Sequence, residues 1–350
     1  MTLLETTFHE IRPVDPLRIE AARLRQLELT KPPGSLGRLE EIANRCAAIR
    51  EGFLLTARRP RIVLFAADHG VCTEGVSAYR QEVTAQMVLN FLRGGAAINA
   101  FARAGGIELR VVDVGVATPL PDSGDLISRR VAQGTRNFCT EPAMTETEMV
   151  AALEVGIELA ADSLAQGCDL LGFGEMGIGN TTSASAITAA LTGLGPEAVV
   201  GIGAAADDAC MVRKLSAIRR ALNLHGESLG DPLGILRCVG GLEIAAMGGF
   251  CLGAAARRIP VVTDGFIATA AAALVVRICP ASSGYLFASH RSAEPGHTAL
   301  LQFIGHEPLL HLGMRLGEGT GAALAMSLIR AAIAAFTDMA TFASAGVSNK

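Results

Sequence analysis

Apolar positions in this chain follow two alternating rhythms. Near the N-terminus Leu17, Leu24 and Leu27 recur at helical spacing, and Lys31-Pro-Pro-Gly34 ends that run. A second helical pattern covers residues 36–49. Beyond it, short unbroken apolar runs, the mark of strands buried on both faces, alternate with helical patterns. Arg61–Ala67 predicts a buried strand ending at Asp68-His69-Gly70, and helical spacing follows over 84–104 with a break at Gly94-Gly95. Leu109–Val116 predicts the next strand, and residues 117–141 are irregular and polar, with room for a short hairpin. Thr145 and Glu148 form a capping-box signature for a helix running to Gln166. Cys168–Phe173 and Val199–Ile202 predict further strands, the second leading into a helix that carries Asp207, Lys214 and Arg220. Asp231-Pro232 marks a helix start, and Gly240-Gly241 precedes an apolar helix over 242–257. Pro260–Gly265 predicts a strand followed at once by a helix, and Tyr285–Ala288 a strand ending at Ser289-His290. Gly317-Glu-Gly-Thr-Gly321 opens the last long helix.

Strands alternating with helices imply an α/β fold: a mostly parallel, Rossmann-like sheet with helices on both faces. Helix-only segments at both ends predict a small helical domain from residues 1–60 and 305–350, beside a large α/β domain over 61–304. Polar residues recur where predicted strands end, at Asp68-His69, Asp113, Glu175, Asp264 and Ser289-His290. Ligands of open α/β sheets bind in the crevice at those carboxyl ends, where the terminal helices are placed to close over them.

Composition narrows the partners. Half of the residues are hydrophobic but only 4% are aromatic, with no Trp and with Tyr only at 79 and 285, so Ala and Gly supply much of the apolar fraction. That favours close helix–sheet packing over an aromatic platform for nucleic acid. The formal net charge is −4 and the charges are interspersed, which argues against a nucleic-acid partner. Eight cysteines are scattered without a Cys-x-x-Cys pair and read as reduced thiols of a cytoplasmic protein. No signal peptide is expected from Met1–Thr7, and the apolar runs are too short or too interrupted for a membrane span, so a soluble protein is predicted.

The chemistry concentrates in two glycine-rich helix entries. The run from Leu170 to Thr182 passes from strand to helix through Gly172, Gly174, Gly177 and Gly179. Backbone N–H groups converge in such a turn, and the helix N-terminus adds about half a positive charge, which suits a phosphate. Gly172-Phe-Gly-Glu-Met-Gly177 matches the dinucleotide fingerprint literally, but Glu175 inside it would repel a pyrophosphate. A different phosphate-bearing ligand and a plain packing turn are the other readings. In the second entry, Glu318 lies between glycines, with Met314 and Leu316 just before it. A carboxylate beside apolar walls suits general-base work, whereas a first-turn acid that merely stabilises the helix dipole is the bland alternative. Asp68-His69 is read as a catalytic pair, part of a metal site or a structural hydrogen bond, the last being the commonest outcome. Histidines 290, 297, 306 and 311 lack the spacing of zinc ligands, so no metal is predicted. Ser289-His290 lacks a nucleophile elbow and reads as a strand-end polar contact. Lys214 is a surface charge unless its helix borders the crevice, and Lys31–Gly37 is turn chemistry or a lid.

In order along the chain stand Lys31-Pro-Pro-Gly-Ser-Leu-Gly-Arg-Leu-Glu40, Ala67-Asp-His-Gly-Val71, Glu74-Gly-Val-Ser-Ala-Tyr79, Gln86-Met-Val88, Gly174-Glu-Met-Gly-Ile-Gly-Asn-Thr-Thr182, Asp264-Gly-Phe-Ile267 and Leu316-Gly-Glu-Gly-Thr-Gly321. Together they resemble the nicotinate-nucleotide–dimethylbenzimidazole phosphoribosyltransferase family of cobalamin lower-ligand assembly, over about residues 15 to 340. Arg80 departs from the Pro that the resemblance leads one to expect after the tyrosine.

The resemblance implies that the 5-phosphoribosyl group of nicotinate mononucleotide passes to a ring nitrogen of 5,6-dimethylbenzimidazole with inversion at C1′, without cofactor or metal. It implies Glu318 as general base and Glu175 as a carboxylate near the reacting ribose. Gly174, Gly177, Gly179, Asn180, Thr181, Gly203 and Lys214 are implied around the phosphate and nucleotide, Gly265 and Ser289 near the nicotinate. Ser77, Tyr79, Gln86, Met314 and Leu316 are implied in the base pocket, and a homodimer as the assembly. The rival readings are an NAD-dependent oxidoreductase, on the literal fingerprint, and a non-catalytic nucleotide- or azole-binding module.

Overall fold

In the computed structural model, residues 1–50, 56–201 and 208–348 are described. The N-terminal part is helical, with α1 at Leu3–Glu10, α2 at Pro16–Glu28 and α3 at Arg38–Ile49. Strand β1 (Pro60–Ala67) follows, then α4 (Glu82–Leu92), α5 (Ala97–Gly105) and β2 (Glu108–Gly115). After β3 (Leu126–Ser128) come α6 (Glu146–Ala165), β4 (Leu170–Met176), α7 (Asn180–Thr192), the single turn α8 (Pro196–Val199) and α9 (Asp208–His225). The chain continues through α10 (Pro232–Val239), α11 (Leu242–Ala256), β5 (Val261–Thr263), α12 (Phe266–Ile278), β6 (Leu286–Ala288) and α13 (Pro295–Ile304). It ends with α14 (Thr320–Asp338) and the short α15 (Phe342–Ala345).

The six strands form one parallel sheet in the order β3-β2-β1-β4-β5-β6. The order reverses between β1 and β4, and a doubly wound sheet opens its ligand crevice at the carboxyl ends of the strands there. Every residue of β1 is buried, as its unbroken apolar run requires. Its one charged side chain, Arg61, is accommodated by Glu108 Oε2 at 2.6 Å, Gln166 Oε1 at 2.7 Å and Ser163 Oγ at 3.2 Å.

Alternation along β4 assigns the two faces. A side chain at Gly172 would point at Met326 and Ala322 of α14, whereas the ring of Phe173 meets Phe250 of α11 edge-on at 6.2 Å. Helix α11 therefore covers one face and α14 the other. The Ala- and Gly-rich composition serves the first face: a Cβ at Gly156 of α6 would stand 1.9 Å from Ala246 O, and one at Gly249 of α11 would stand 1.8 Å from Leu153 O. The terminal segments pack with the sheet layers. Helix α14 lies on β1, β4 and β5 and also holds α3 and α5, while α1 packs on α6 and α11. By length and composition α14 is apolar enough to cross a membrane, and here its apolar side is buried against the sheet while Arg330 donates to Gly105 O at 2.5 Å.

Three local expectations are corrected. Residues 117–141 hold no hairpin; β3 instead adds to the sheet edge in parallel with β2, paired from Val111–Leu126 to Asp113–Ser128. The predicted strand from Val199 begins inside a helical turn, because Pro196 at the first helical position starts α8, and the rest of it runs into residues outside those described. The leucines that mark α2 face outward: Leu17, Leu24 and Leu27 are 79%, 58% and 51% exposed, and Ala22 and Gln26 form the buried side.

Candidate active site

Strand β4 delivers the first carboxyl group. Glu175 is the next-to-last residue of the strand, paired with Phe65 of β1 at the switch point. The chain then turns through Gly177 to Gly179, which caps α7 at φ 96°, a left-handed conformation natural to glycine. Contacts explain the other glycine: a Cβ at Gly177 would meet Ala67 O at 2.4 Å. Glu175 is buried and accepts a hydrogen bond from Asn180 Nδ2. Burial, reinforced by the nearby carboxyls of Asp264 and Glu243, pushes its pKa up to about 8. At neutral pH the free protein therefore holds Glu175 as the neutral acid.

No side chain caps α7 at its first turn. Thr181 of that turn lines the cavity, and behind it stands Lys214 of α9, whose Nζ donates to Thr181 Oγ1 at 2.8 Å. Lys214 is 1% exposed. Burial lowers its ammonium to about 8, against the opposing pull of the Glu294 carboxylate. It is thus a buried ammonium at the crevice and not a solvated surface charge.

The second carboxyl group comes from a turn with no strand before it. Gly317, Glu318 and Gly319 have φ of 87°, 64° and 90°, three consecutive left-handed residues. For glutamate that conformation costs about 1–2 kcal/mol, so the surroundings must enforce it. Enforcement comes from both sides. A Cβ at Gly174 would lie 2.2 Å from Gly319 N and 2.4 Å from Glu318 C, so β4 and this turn touch through bare backbone. On the far side Asp264, just beyond β5, accepts from the N–H groups of Gly319, Gly321 and Ala322. Burial raises the Glu318 pKa above the usual carboxylate range, Asp264 adds to the rise, and the N–H of Ile98, 3.4 Å away, opposes it.

The two carboxyls face one cavity of about 610 Å³, lined by both glycine turns. That is ample for a small-molecule ligand. Its apolar wall includes Val76, Val83, Met87, Met176, Ile178 and Leu316, and His290, Ser292, Glu294 and Arg315 add polar groups. Ser77, Tyr79, Glu175, Gly177, Gly179, Asn180, Thr181, Gly265, Leu316 and Glu318 all stand on its lining. Tyr79 and Leu316, each 58% exposed, form an apolar rim open to solvent. Other residues singled out from the sequence lie elsewhere. Gly174 sits behind the lining, where it admits the Glu318 turn. Ser289 is buried and donates to Asp264 O at 2.8 Å. Gln86 is on the exposed side of α4, which presents Val83 and Met87, one helical turn apart, to the cavity. Met314 precedes the wall, with its carbonyl accepting from Ala293 N. Gly203 lies outside the described residues. His69 turns away from the cavity, and its Nε2 lies 2.6 Å from Glu243 Oε1 in a fully buried pair beneath Gly177.

Sequence reasoning did not assign Asp264, His290 or Met87. The first two carried a signal, because both stand where a strand ends; Met87 is one residue from Gln86, and only the rotation of α4 selects between them.

Known proteins resemble this chain over nearly its whole length. A family described as phosphoribosyltransferase matches residues 11–347. The nicotinate-nucleotide–dimethylbenzimidazole phosphoribosyltransferase of Chloroflexus aggregans is 53% identical, covering 100% of this chain and 99% of its own length. The enzyme of the same name from Geobacter metallireducens is 51% identical over 99% and 98%. The crystal structure of the Thermus thermophilus enzyme of that name superposes with a TM-score of 0.90 at 50% identity, covering 96% of this chain and all of that one. With the glycine turns, the crevice and the full-length likeness in agreement, this chain belongs to the nicotinate-nucleotide–dimethylbenzimidazole phosphoribosyltransferase family.

Proposed function

We propose that this chain transfers the 5-phosphoribosyl group of nicotinate mononucleotide to 5,6-dimethylbenzimidazole, giving α-ribazole 5′-phosphate and nicotinate. The observation that carries the reading is the meeting of Glu175 and Glu318, far apart in sequence, across one cavity at the sheet's switch point. The imine nitrogen of the base attacks C1′ from the face opposite the nicotinate, so the configuration inverts. The C1′–N bond breaks toward the pyridinium nitrogen, which leaves neutral and needs no acid. The base must give up its N–H proton, and Glu318 accepts it; a raised affinity for that proton suits the task near neutral pH.

Glu175, neutral in the free protein, acts first as a hydrogen-bonding group beside the ribose. Binding of the cationic pyridinium nucleotide lowers its proton affinity and draws it toward the anionic form that stabilises positive charge at C1′. The N-terminus of α7 with Thr181 and Lys214 receives the 5′-phosphate, and Gly265 lies near the nicotinate. Ser77, Tyr79 and Leu316, with Val83, Met87 and Met176, hold the flat base, and an apolar slot of this kind also tolerates related azoles.

Incubation with both substrates and chromatographic separation tests the reading. The expected result is loss of nicotinate mononucleotide matched by nicotinate and α-ribazole 5′-phosphate. Ligand-induced melting shifts without product would favour a binding module instead. The free cysteines, most of them buried, support a reducing, cytoplasmic setting. The outward leucine stripe of α2 supports a homodimer, which sedimentation of the parent and of Leu24→Glu would test.

A further inference from the structure

We propose that Asp264 is the positioning residue for Glu318: from the end of β5 its carboxylate gathers the first amides of α14 and so holds the left-handed turn that aims Glu318 into the cavity. This deepens the reading of Glu318 as the base and rests on it. The geometry is specific. Asp264 Oδ2 accepts from Gly319 N at 3.0 Å, and Oδ1 accepts from Gly321 N at 2.7 Å and Ala322 N at 3.2 Å. Asp264 is 1% exposed, so these bonds form out of water, where a charged acceptor holds its donors most firmly. Helix α14 has no cap of its own, because its N-cap residue is Gly319. Asp264 supplies that cap from another element, satisfying donors that the helix start leaves orphaned.

The fit is tight enough to read as built. A Cβ at Gly321 would fall 2.9 Å from Asp264 Oδ1 and 2.0 Å from His290 Nδ1, so only glycine lets α14 approach. The Asp264 main chain is fixed in turn by the Ser289 hydroxyl, which donates to its carbonyl at 2.8 Å. Glu318 itself has one weak tie, from Ile98 N at 3.4 Å, so the direction of its carboxylate is inherited from the backbone that Asp264 holds. Asp264 is absent from the cavity lining, which makes it a supporting group and not a substrate contact.

Two measurements on the full-length protein test this. In Asp264→Ala, amide exchange over residues 317–323 is expected to quicken about tenfold or more, and in Asp264→Asn, which keeps one acceptor oxygen, by less. Steady-state kinetics are expected to give kcat in the order parent, Asn, Ala, with the Ala variant down about tenfold or more and KM for nicotinate mononucleotide within about threefold of the parent. Unchanged exchange in the Ala variant, or kcat within about twofold of the parent, overturns the proposal. So does a rise in KM with kcat unaltered, which would make Asp264 a binding contact. If Asp264→Ala does not fold, the Asn variant is judged by the same two criteria. If the parent forms no product, the functional reading fails, while the exchange arm still decides whether Asp264 holds the turn.

Discussion

Two turns in this molecule look alike in sequence and are held in opposite ways. Gly174-Glu-Met-Gly177 and Gly317-Glu-Gly319 each place a glutamate among glycines at the start of a helix, and both helices have a glycine N-cap with left-handed φ. In the first, Glu175 is part of a strand, its backbone is relaxed, and burial keeps its proton on up to about pH 8. In the second, Glu318 is itself left-handed and depends on Asp264 and Gly174 for its position. The helix starts differ in the same sense. A carboxylate occupies the N-terminus of α14, whereas no side chain caps α7. Under the proposed function, one glycine turn serves as a phosphate receptor with an acid at its edge, and the other as a mount for a base.

The sharpest way to break this contrast is to remove the base alone. Glu318→Gln is expected to lower kcat by about 10²–10⁴-fold while both KM values stay within a few-fold, because only proton acceptance is lost. The parent pH profile should carry an acid limb that lies above the ordinary carboxylate range and disappears in this variant.

Gly174→Ala attacks the contact between the two turns. Its methyl group would strike the backbone of Glu318 and Gly319, so a loss of about 1–3 kcal/mol in stability and a fall of about tenfold or more in kcat are expected, read by thermal melting and initial rates. Retention of parental activity would show that the turns need not touch.

Lys214→Met probes the receptor side. It is expected to raise KM for the nucleotide about tenfold, since one charge-assisted phosphate contact goes. In the parent, kcat/KM for the nucleotide should decline as pH rises through about 8, where the buried ammonium loses its proton, and the variant should lack that limb.

Glu175→Gln should have the mildest effect and is the most diagnostic of the contrast. Glutamine reproduces the neutral acid of the free protein but not the anion proposed beside C1′, so at pH 7 the variant is expected to lose activity through kcat, by less than Glu318→Gln. The folded protein holds this proton at pH values where the unfolded chain has released it, between the ordinary 4.5 and about 8. Stability therefore falls as pH rises through that window. The variant should melt a few degrees higher than the parent at pH 8, with the difference vanishing toward pH 4.5. A variant that melts no higher at pH 8 would remove the case for a neutral Glu175.

Much of this architecture was legible in the residues. Apolar runs located β1, β2, β4, β5 and β6 because most of their residues are buried between the helix layers, with few polar positions among them. The short β3 was not legible, since its pairing with β2 is an edge contact of three residues with no pattern of its own. The outward leucines of α2 show that periodicity finds a helix without saying which side is covered. Both glutamates stood out because a charge among glycines is unusual. Asp264 stood out only as a polar strand end and received no role, because its partners are three amides more than fifty residues away.

By itself the sequence determined the fold class, the family, the two glycine turns and the identity of the chemical groups, since these follow from local pattern and ordered motifs. Only the tertiary structure decided which wall each residue joins, that Lys214 is buried against Thr181, and that Ser289, Gln86 and Met314 stand off the cavity. It alone raised the proton affinity of both carboxyls and gave them different supports. The reason is physical: spacing along a chain fixes helices and strands, whereas burial, through-space charge and backbone contact depend on which segments the fold brings together.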